Sequence, residues 1–262
     1  MEKIYIIRFV LFIIMSFISF NPVHAMKESP NVEKFAQNGY KYDTFSTQEG
    51  RNISIIFIKH GSIAIDIDNY LVYIDPVSMF GNDFSVLPKA DLILVTHEHQ
   101  DHLDAKTIST LSTESTKVMT SRAVAEKIKA EPLSVGQRVD NKQGNFIFVT
   151  MPAYNITEGH LDFHPKSRGD VGFVISVDGF RIYVAGDTED IPEMAQLADD
   201  DIDVAFLPVN QPFTMTPEQA IHAIEMIKPH IVYPYHFGQT DLTPIVNAFA
   251  GSDVDIRLRA LE

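Results

Sequence analysis

The chain has 262 residues, 45% of them hydrophobic, with no Cys and a formal net charge of −14 at pH 7. This length suits one domain with a substantial core. The acidic excess argues against nucleic acid as a partner, because the phosphate backbone would be repelled. The lack of Cys excludes disulfides, thiolate ligands and lipid attachment through an N-terminal Cys, so any metal ligand must be His, Asp or Glu.

The first 25 residues have the features of a secretory signal peptide. A basic start with Lys3 and Arg8 precedes an apolar run over residues 9–20, and Ala25 is a small residue at the expected cleavage point. An uncleaved anchor is the alternative, but the apolar run is short for a membrane span and no second run follows. We therefore expect cleavage after Ala25 and export to the periplasm or medium, with no stable membrane span after cleavage.

The first half of the remaining chain is rich in predicted strands. Residues 26–50 are polar and lack clear periodicity, which predicts a lead-in to a domain over residues 51–262. Short β-branched and aromatic runs then predict strands, and an apolar run predicts a buried one. The predicted strands cover 53–58, 63–67, 70–74, 91–96 and 117–120, and the predicted helices cover 105–111 and 122–130. Residues 131–144 contain many turn-forming residues.

The second half alternates strands and helices. Strands are predicted over 145–150, 171–177, 180–184, 204–207, 231–235 and 254–258, and helices over 191–198, 217–227 and 242–250. Thr216 and Gln219 form a capping box at the start of the second of these helices, with Pro217 at its first position. We expect an α/β (α+β) fold in which two mixed sheets pack together with helices outside.

A cluster of metal-ligand residues follows the predicted strand at 91–96. The sequence His97-Glu98-His99-Gln100-Asp101-His102 places three imidazoles and several carboxylates within one short loop. These groups are natural ligands for zinc and similar ions. Since His97 and His99 can converge on one ion and Asp101 and His102 can serve a second, the loop predicts a two-metal hydrolytic site. The alternative is a solvated polar loop.

Three later segments could complete this site. His160 and His164 lie in a loop before a strand, Asp187 follows Gly186 directly after a strand, and His236 ends another strand. Each taken alone has a structural explanation, such as an ordinary Gly-Asp-Thr turn or a packed His. Strand ends are nevertheless where rigid scaffolds present chemistry, and all of these segments lie at such ends or in the adjoining loops.

The joint pattern resembles the metallo-β-lactamase superfamily, and in finer detail is similar to its ascorbate-6-phosphate lactonase-like branch of metal-dependent hydrolases. The supporting segments are residues 60–62, 73–76, 152–155, 163–166 and 215–218. The resemblance implies an αββα sandwich, the metallo-β-lactamase fold, with two divalent ions at one edge. It implies zinc, with manganese or iron as alternatives, and a small-molecule substrate attacked by a metal-bridged hydroxide.

The resemblance also implies roles for individual residues. His97, His99 and His164 would hold the first ion, and Asp187 would bridge to the second. The second ion would be held by Asp101, His102 and His236. Asp101 and Asp187 would be the catalytic residues, with Asp101 orienting the hydroxide. His160 competes with His164 for the first ion, and we favour His164 because it lies closer to the next strand.

Other residues are weaker candidates for the second shell or the substrate. Asp75 could orient a ligand His through its other ring nitrogen, or simply form the turn before Pro76. His60 could lie near the pocket or make a structural hydrogen bond. Substrate contacts are candidates at Asn155, Lys166 and Tyr235, against plain loop polarity. His222 and His230 are expected to be surface or structural residues.

The sequence therefore predicts an exported metal-dependent hydrolase that cleaves an ester, lactone or phosphodiester-type bond. Two alternatives remain: an iron-dependent oxidoreductase on the same fold, and a non-catalytic metal-binding protein. The identity of the bound metal would separate hydrolytic from redox chemistry. The sequence does not predict the oligomeric state.

Overall fold

Two seven-stranded sheets form the centre of the computed structural model, which describes residues 28–262. The predicted signal peptide over residues 1–25 lies outside the described residues. The first sheet contains, in order, β1 (Lys41–Ser46), β2 (Asn52–Lys59), β3 (Ser62–Ile67), β4 (Tyr70–Ile74), β5 (Leu92–Val95), β6 (Lys117–Ser121) and β7 (Glu131–Leu133). The second contains β8 (Arg138–Asn141), β9 (Phe146–Pro152), β10 (Val171–Val177), β11 (Phe180–Val184), β12 (Val204–Pro208), β13 (Ile231–Tyr235) and β14 (Asp255–Ile256).

The two sheets share one pairing pattern. In each, the first four strands along the chain pair antiparallel, and the fourth to the seventh pair parallel. Strands β2, β4, β5 and β6 therefore run in the same direction, and so do β9, β11, β12 and β13. Because neighbouring strands of one direction end at the same edge of a sheet, the loops that leave them are brought together.

Helices cover the outer faces of both sheets. The α-helices are α1 (Pro30–Gln37), α2 (Ala105–Leu111), α3 (Arg122–Ile128), α4 (Pro217–Ile227) and α5 (Thr243–Ala248), with 3₁₀ turns at Phe84–Val86, Lys166–Arg168 and Pro192–Asp199. One apolar cluster fills the space between the sheets, and two more lie beneath the helices on the outer faces. This is an αββα sandwich, so the predicted fold class is confirmed. Within residues 28–262, no helix is both long and apolar enough to span a bilayer.

The clearest difference from the sequence prediction lies before the first predicted strand. The described part of the expected lead-in contains α1 and β1, and β1 pairs with β2 along its whole length. The Ser29 side chain caps α1, Pro30 is its first residue, and Phe35 is fully buried. A helix of eight residues shows too few turns for periodicity to be read from sequence.

Two further segments also differ from prediction. The turn-rich segment 131–144 holds β7 and β8, which are three and four residues long and largely exposed, so they show no clear alternation. The predicted helix over 191–198 is a 3₁₀ segment, Pro192–Asp199. Consecutive acidic residues from Asp199 follow its last turn, where negative charge opposes the helix dipole.

Arg51 joins the two sheets at the end of the sandwich where β2 begins. Its guanidinium donates to the carbonyls of Gly144 and Asn145, both at 2.7 Å, and to the carboxylate of Asp68 at 3.2 Å. Its side chain is 16% exposed. Hydrogen bonds from a charged donor to a partly buried acceptor stabilise more than neutral ones, so Arg51 fixes the first sheet against the turn between β8 and β9.

We predict that Arg51→Ala lowers the free energy of unfolding by about 2 kcal/mol, because two carbonyl acceptors lose a charged donor. Urea unfolding of metal-loaded and metal-free protein would measure the change. Metal content should stay at the wild-type value, since the substitution lies at the opposite end of β2 from the metal-ligand residues. The control is Lys142→Ala, which removes an exposed cation from the same turn. An equal effect of both substitutions would contradict the prediction.

Candidate metal centre

The predicted ligands gather at the edge where the parallel strands end. His97, His99 and His102 lie in the loop after β5, Asp187 follows β11, and His236 follows β13. The His164 loop connects β9 to β10, and this connection begins and ends at the same edge. Gly186 lets Asp187 approach closely: it has φ +67°, and an added Cβ would lie 3.1 Å from the Val171 carbonyl oxygen.

The side chains form two groups, each able to hold an ion. The first group contains His97, His99, His164 and Asp187, and the second contains His60, Asp101, His102 and His236. Within each group, one ligand atom from each residue lies within 4.8 Å of the others. All of these residues except His99 and Asp101 are buried.

Asp187 lies between the two groups. Its Oδ2 atom is 3.3 Å from His164 Nε2 in the first group and 3.4 Å from His236 Nε2 in the second. Its Oδ1 atom is 3.3 Å from His102 Nε2. The carboxylate therefore faces imidazoles of both groups at once, as a bridging ligand must.

A buried carboxylate and hydroxyl set the tautomers of two imidazoles. Asp75 accepts hydrogen bonds from the Thr96 amide at 2.7 Å, the Thr96 hydroxyl at 2.6 Å and His102 Nδ1 at 2.7 Å. Since the Thr96 hydroxyl donates its one hydrogen to Asp75, it accepts from His97 Nδ1, 2.9 Å away. Both rings then carry hydrogen on Nδ1, so Nε2 is the atom that each ring presents to the centre.

A carbonyl group sets the third tautomer. His164 Nδ1 lies 3.0 Å from the Phe213 carbonyl oxygen, which can only accept, so His164 also presents a bare Nε2 atom. Asn155 donates to the same carbonyl at 2.8 Å and to the His160 carbonyl at 3.1 Å. The amide of Asn155 therefore ties the His164 loop to the segment around Phe213.

His99 is turned the other way. Its Nδ1 atom lies 3.0 Å from His97 Nε2 and 3.1 Å from His164 Nε2, so Nδ1 faces the first group. Its Nε2 atom lies 3.0 Å from Arg168 Nη1. The remaining nitrogens of Arg168 are held by the buried carboxylate of Asp170, with contacts of 2.9 and 2.8 Å from Nε. This ion pair fixes the position of the His99 ring.

The electrostatics of the site favour neutral imidazoles in the first group. Burial lowers the pKa of His97 well below its ordinary value, and the neighbouring charged form of His102 adds to this. Burial also lowers the pKa of His99 to about 4, with a further contribution from the Arg168 guanidinium. Neutral imidazole is the form that binds a metal ion, so neither ring carries a positive charge that would oppose metal binding at neutral pH.

The carboxylates are held in their charged form. Burial opposes ionisation of Asp187, but His102 and His236 outweigh it and hold the pKa of Asp187 well below its usual range. Burial likewise opposes a charge on His102, yet Asp187 and Asp75 raise its pKa well above the ordinary value. In the bare chain the His102 cation thus balances buried carboxylates, and a bound metal ion would take over that balance.

Two orphaned atoms show that the site suits metal ions. His102 Nε2 and Asp187 Oδ1 are both buried, lie 3.3 Å apart and have no hydrogen-bond partner of good geometry. In the bare chain the second ring hydrogen of the His102 cation faces Asp187 Oδ1, and a metal ion in its place would be bound by both atoms. The donor set of imidazoles and carboxylates matches the preferences of zinc and similar divalent ions.

Comparisons with known proteins identify the family. A sequence family described as the beta-lactamase superfamily domain matches residues 54–236. A UPF0173 metal-dependent hydrolase of Pyrococcus abyssi is 34% identical over 197 residues, covering 71% of this chain and 84% of the relative. One from Symbiobacterium thermophilum is 31% identical over 194 residues, with the same coverage. A crystal structure of a candidate metal-dependent hydrolase from Parabacteroides distasonis is 42% identical, with a TM-score of 0.81, and covers 85% of this chain and 100% of that one.

The chain belongs to the metallo-β-lactamase superfamily. It is a metal-dependent hydrolase of that superfamily, as the sequence family, the two relatives, the crystal structure and the paired ligand groups together show. The finer resemblance to the lactonase-like branch stays a prediction.

The structure distinguishes between the two candidate ligands in the β9–β10 loop, His160 and His164. His164 lies in the first ligand group. His160 lies outside both groups, with Nδ1 3.3 Å from the buried carboxylate of Glu189. Glu189 also accepts from the amides of Ile156 and Thr157, at 2.7 and 2.6 Å. His160 therefore helps to shape the loop that carries His164.

The three candidates for the second shell or substrate, Asn155, Lys166 and Tyr235, have different surroundings. Asn155 is buried beneath the loop, and Tyr235 is fully buried in the core between the sheets, where burial raises the pKa of its hydroxyl well above the ordinary value. Lys166 is exposed and donates to the Tyr154 hydroxyl at 2.9 Å and to Glu193 at 2.8 Å. Within residues 28–262, none of these three side chains makes a hydrogen bond to a side chain of either ligand group.

Several residues of the site were not predicted from the sequence. Thr96 directly precedes the cluster, but its role depends on Asp75, which lies across the sheet. Arg168 and Asp170 are near each other in sequence, yet only the fold brings them to His99. By contrast, Glu189 directly follows the candidate ligand segment Gly186-Asp187-Thr188, so the sequence alone could have indicated that it lies near the site. His222 and His230 are exposed and pair with Asp190 and Asp201.

We predict that Asp75→Asn weakens binding of the second ion by about 10- to 100-fold, because Asn offers one acceptor oxygen where Thr96 and His102 require two. Zinc titration by calorimetry would measure the change. Asp91→Asn is the matched control. Asp91 accepts a hydrogen bond from the backbone amide of Leu71 at 2.8 Å, but it contacts no metal-ligand residue. Unchanged zinc affinity in a folded Asp75 variant would show that this contact does not govern the site.

Proposed function

We propose that this chain binds two divalent ions, zinc first among them, and hydrolyses carboxylic esters or lactones that carry an apolar group. The observation that carries the proposal is the position of Asp187, whose two oxygens lie 3.3–3.4 Å from imidazole nitrogens of both ligand groups. Two ions held by these groups would supply a strong nucleophile at neutral pH by lowering the pKa of bound water, and they would polarise the bond under attack.

Asp101 and Asp187 have different surroundings, which supports different roles. The side chain of Asp187 is 3% exposed, whereas that of Asp101 is 31% exposed. Hydrogen bonds from His236 and His60 outweigh burial and hold the pKa of Asp101 below its usual range, so it is ionised at neutral pH. An accessible, charged acceptor at the mouth of the site can orient an attacking water and receive its proton.

Apolar side chains surround the mouth of the centre. Phe80 packs on the His60 ring with centroids 4.3 Å apart, and Phe213, whose carbonyl bonds His164, packs on Phe163 with centroids 5.0 Å apart. Large hydrophobic side chains on the same loops are exposed to solvent: Met79, Ile156, Leu161 and Phe213. Exposed apolar side chains beside a polar centre favour a substrate whose reacting group is joined to an apolar body.

We predict that the purified protein holds about two zinc ions per chain, and that Asp187→Ala loses both metal and hydrolysis, with kcat/KM at least ~100-fold lower. Elemental analysis would measure the metal. Activity would be followed on neutral esters and lactones of increasing acyl length, beside a phosphodiester. The control Asp190→Ala removes a carboxylate three residues further along, which pairs with exposed His222.

The outcomes of this experiment separate the competing functions. Two ions with faster cleavage of longer acyl groups would support the proposal. Hydrolysis of the phosphodiester alone would support the two-ion centre but contradict the proposal that the bond cleaved is an ester or lactone. Iron with a visible absorbance would favour the redox alternative. No metal after reconstitution would overturn the two-ion proposal.

Export is part of the proposed function. The basic start and apolar run before Ala25 support a cleaved signal peptide. Cleavage there would remove no described element, since α1 begins at Pro30.

We predict that expression of the full chain in a bacterium yields periplasmic or secreted protein whose first residue is Met26. Cell fractionation with mass analysis of the N-terminal peptide would check this. A variant with Lys in the apolar run, such as Phe12→Lys, should keep the uncut chain inside the cell, because the run would no longer be recognised. Uncut wild-type protein in the cytoplasm would exclude export.

A further inference from the structure

His60 belongs to the second ligand group, although no part of the metal-ligand pattern recognised in the sequence includes it. We infer that His60 is a fourth terminal ligand of the second ion, beside Asp101, His102 and His236. The inference rests on the proposed two-ion centre and adds a residue to it. Four independent features of the structure support this assignment.

The first feature is the strained backbone at this position. His60 has φ +54°, and the pairing of β2 with β3 shifts register just before it, between Phe57 and Lys59. A non-Gly residue in the left-handed region costs free energy, and such residues concentrate at functional sites. The bulge and the left-handed turn together aim the ring at the edge where the other ligands gather.

The second feature is the close fit of the neighbouring residue. A Cβ atom added to Gly61 would lie only 2.7 Å from Cε1 of the His102 ring. The backbone of the turn therefore lies directly against a residue of the second group. Only a residue without a side chain allows His60 and His102 to come this close.

The third feature is the packing of the ring. His60 is buried between the Phe80 ring, 4.3 Å away, and the His236 ring, 3.8 Å away between centroids. A buried ring held by two neighbouring rings loses little further freedom when it binds an ion.

The fourth feature is the convergence of nitrogens on one carboxylate oxygen. Asp101 Oδ2 lies 3.3 Å from His60 Nε2, 3.2 Å from His236 Nε2 and 4.0 Å from His102 Nε2. Because His102 Nδ1 is used by Asp75, Nε2 is the His102 atom that faces this cluster. Three imidazole nitrogens and a carboxylate oxygen gathered in this way form a donor set suited to a cation.

This assignment makes the two ions unequal. The second ion would have four terminal protein ligands and the first would have three, with Asp187 facing both groups. The second ion would then be held more completely by protein, and the first would keep more room for substrate. We therefore place the substrate's reacting group nearer to His97, His99 and His164.

A single substitution distinguishes ligation from simple hydrogen bonding. In His60→Gln, the side-chain amide nitrogen can still donate to Asp101, but an amide binds zinc poorly compared with imidazole. We expect calorimetric titration to show the second zinc bound at least tenfold more weakly, with the first unchanged. Cobalt(II) substitution should change the visible spectrum of the second ion, which reports its coordination. His222→Gln is the control at an exposed His.

The outcomes separate this inference from the proposed function. If wild type binds two ions and His60→Gln binds both with unchanged affinity and spectrum, His60 is a hydrogen-bond donor and the inference fails alone. If wild type binds fewer than two ions, both the inference and the two-ion proposal fail. Should His60→Gln not fold, His60→Asn replaces it, because Asn tolerates the left-handed region better, and the same readouts apply.

Discussion

The carboxylate of Asp75 is the interaction on which the rest of the site depends. It is buried, has φ +46°, and accepts three hydrogen bonds from Thr96 and His102. Through the Thr96 hydroxyl it also determines which nitrogen of His97 carries hydrogen. One acid at the end of β4 thus orients a ligand of each ion, although it belongs to neither ligand group. Asp75 therefore supports ligands of both ion sites, and Asp187 lies between these sites.

The sheet topology explains how residues so distant in sequence meet. Each sheet begins with antiparallel pairings and ends with parallel ones. Parallel pairing places the ends of β4 and β5 side by side in one sheet, and those of β11 and β13 at the same edge of the other. His60 follows β2, which runs in the direction of β4, so the same rule brings it to this edge. Strand direction therefore brings the ligand residues to one edge, and the turns after the strands set the positions of the individual side chains.

The sequence predicted the parts of the site that depend on local order. The cluster from His97 to His102 is contiguous, and Asp187 and His236 directly follow apolar runs, so strand ends alone indicated them. The structure places each of them in a ligand group. Contacts across the sheets were beyond such reasoning. Arg168 meets His99 across 69 positions, and the burial of Asn155 and Tyr235 depends on how a loop and two sheets pack.

His60 marks the limit of sequence reasoning. Its proximity to the pocket could be suspected from the neighbouring Gly61, but its direction depends on a bulge and a left-handed turn. A bulge shifts which side chains point to which face, and a strand pattern read with period two does not reveal it. The early helix α1 was missed for a related reason: it depends on the burial of Phe35 under the sheet more than on any local repeat.

Charge balance links the centre to its proposed substrate. Asp75, Asp101 and Asp187 bring three negative charges to the site, and the Arg168–Asp170 pair contributes none. Two divalent ions with neutral imidazoles would balance these three carboxylates and one bound hydroxide, in a chain whose formal net charge is −14. An uncharged ester can approach such a chain without repulsion and place its carbonyl oxygen at the metal ions. The carboxylate product would be repelled by the surrounding acidic protein, so the same charge distribution that admits the substrate favours release of the product.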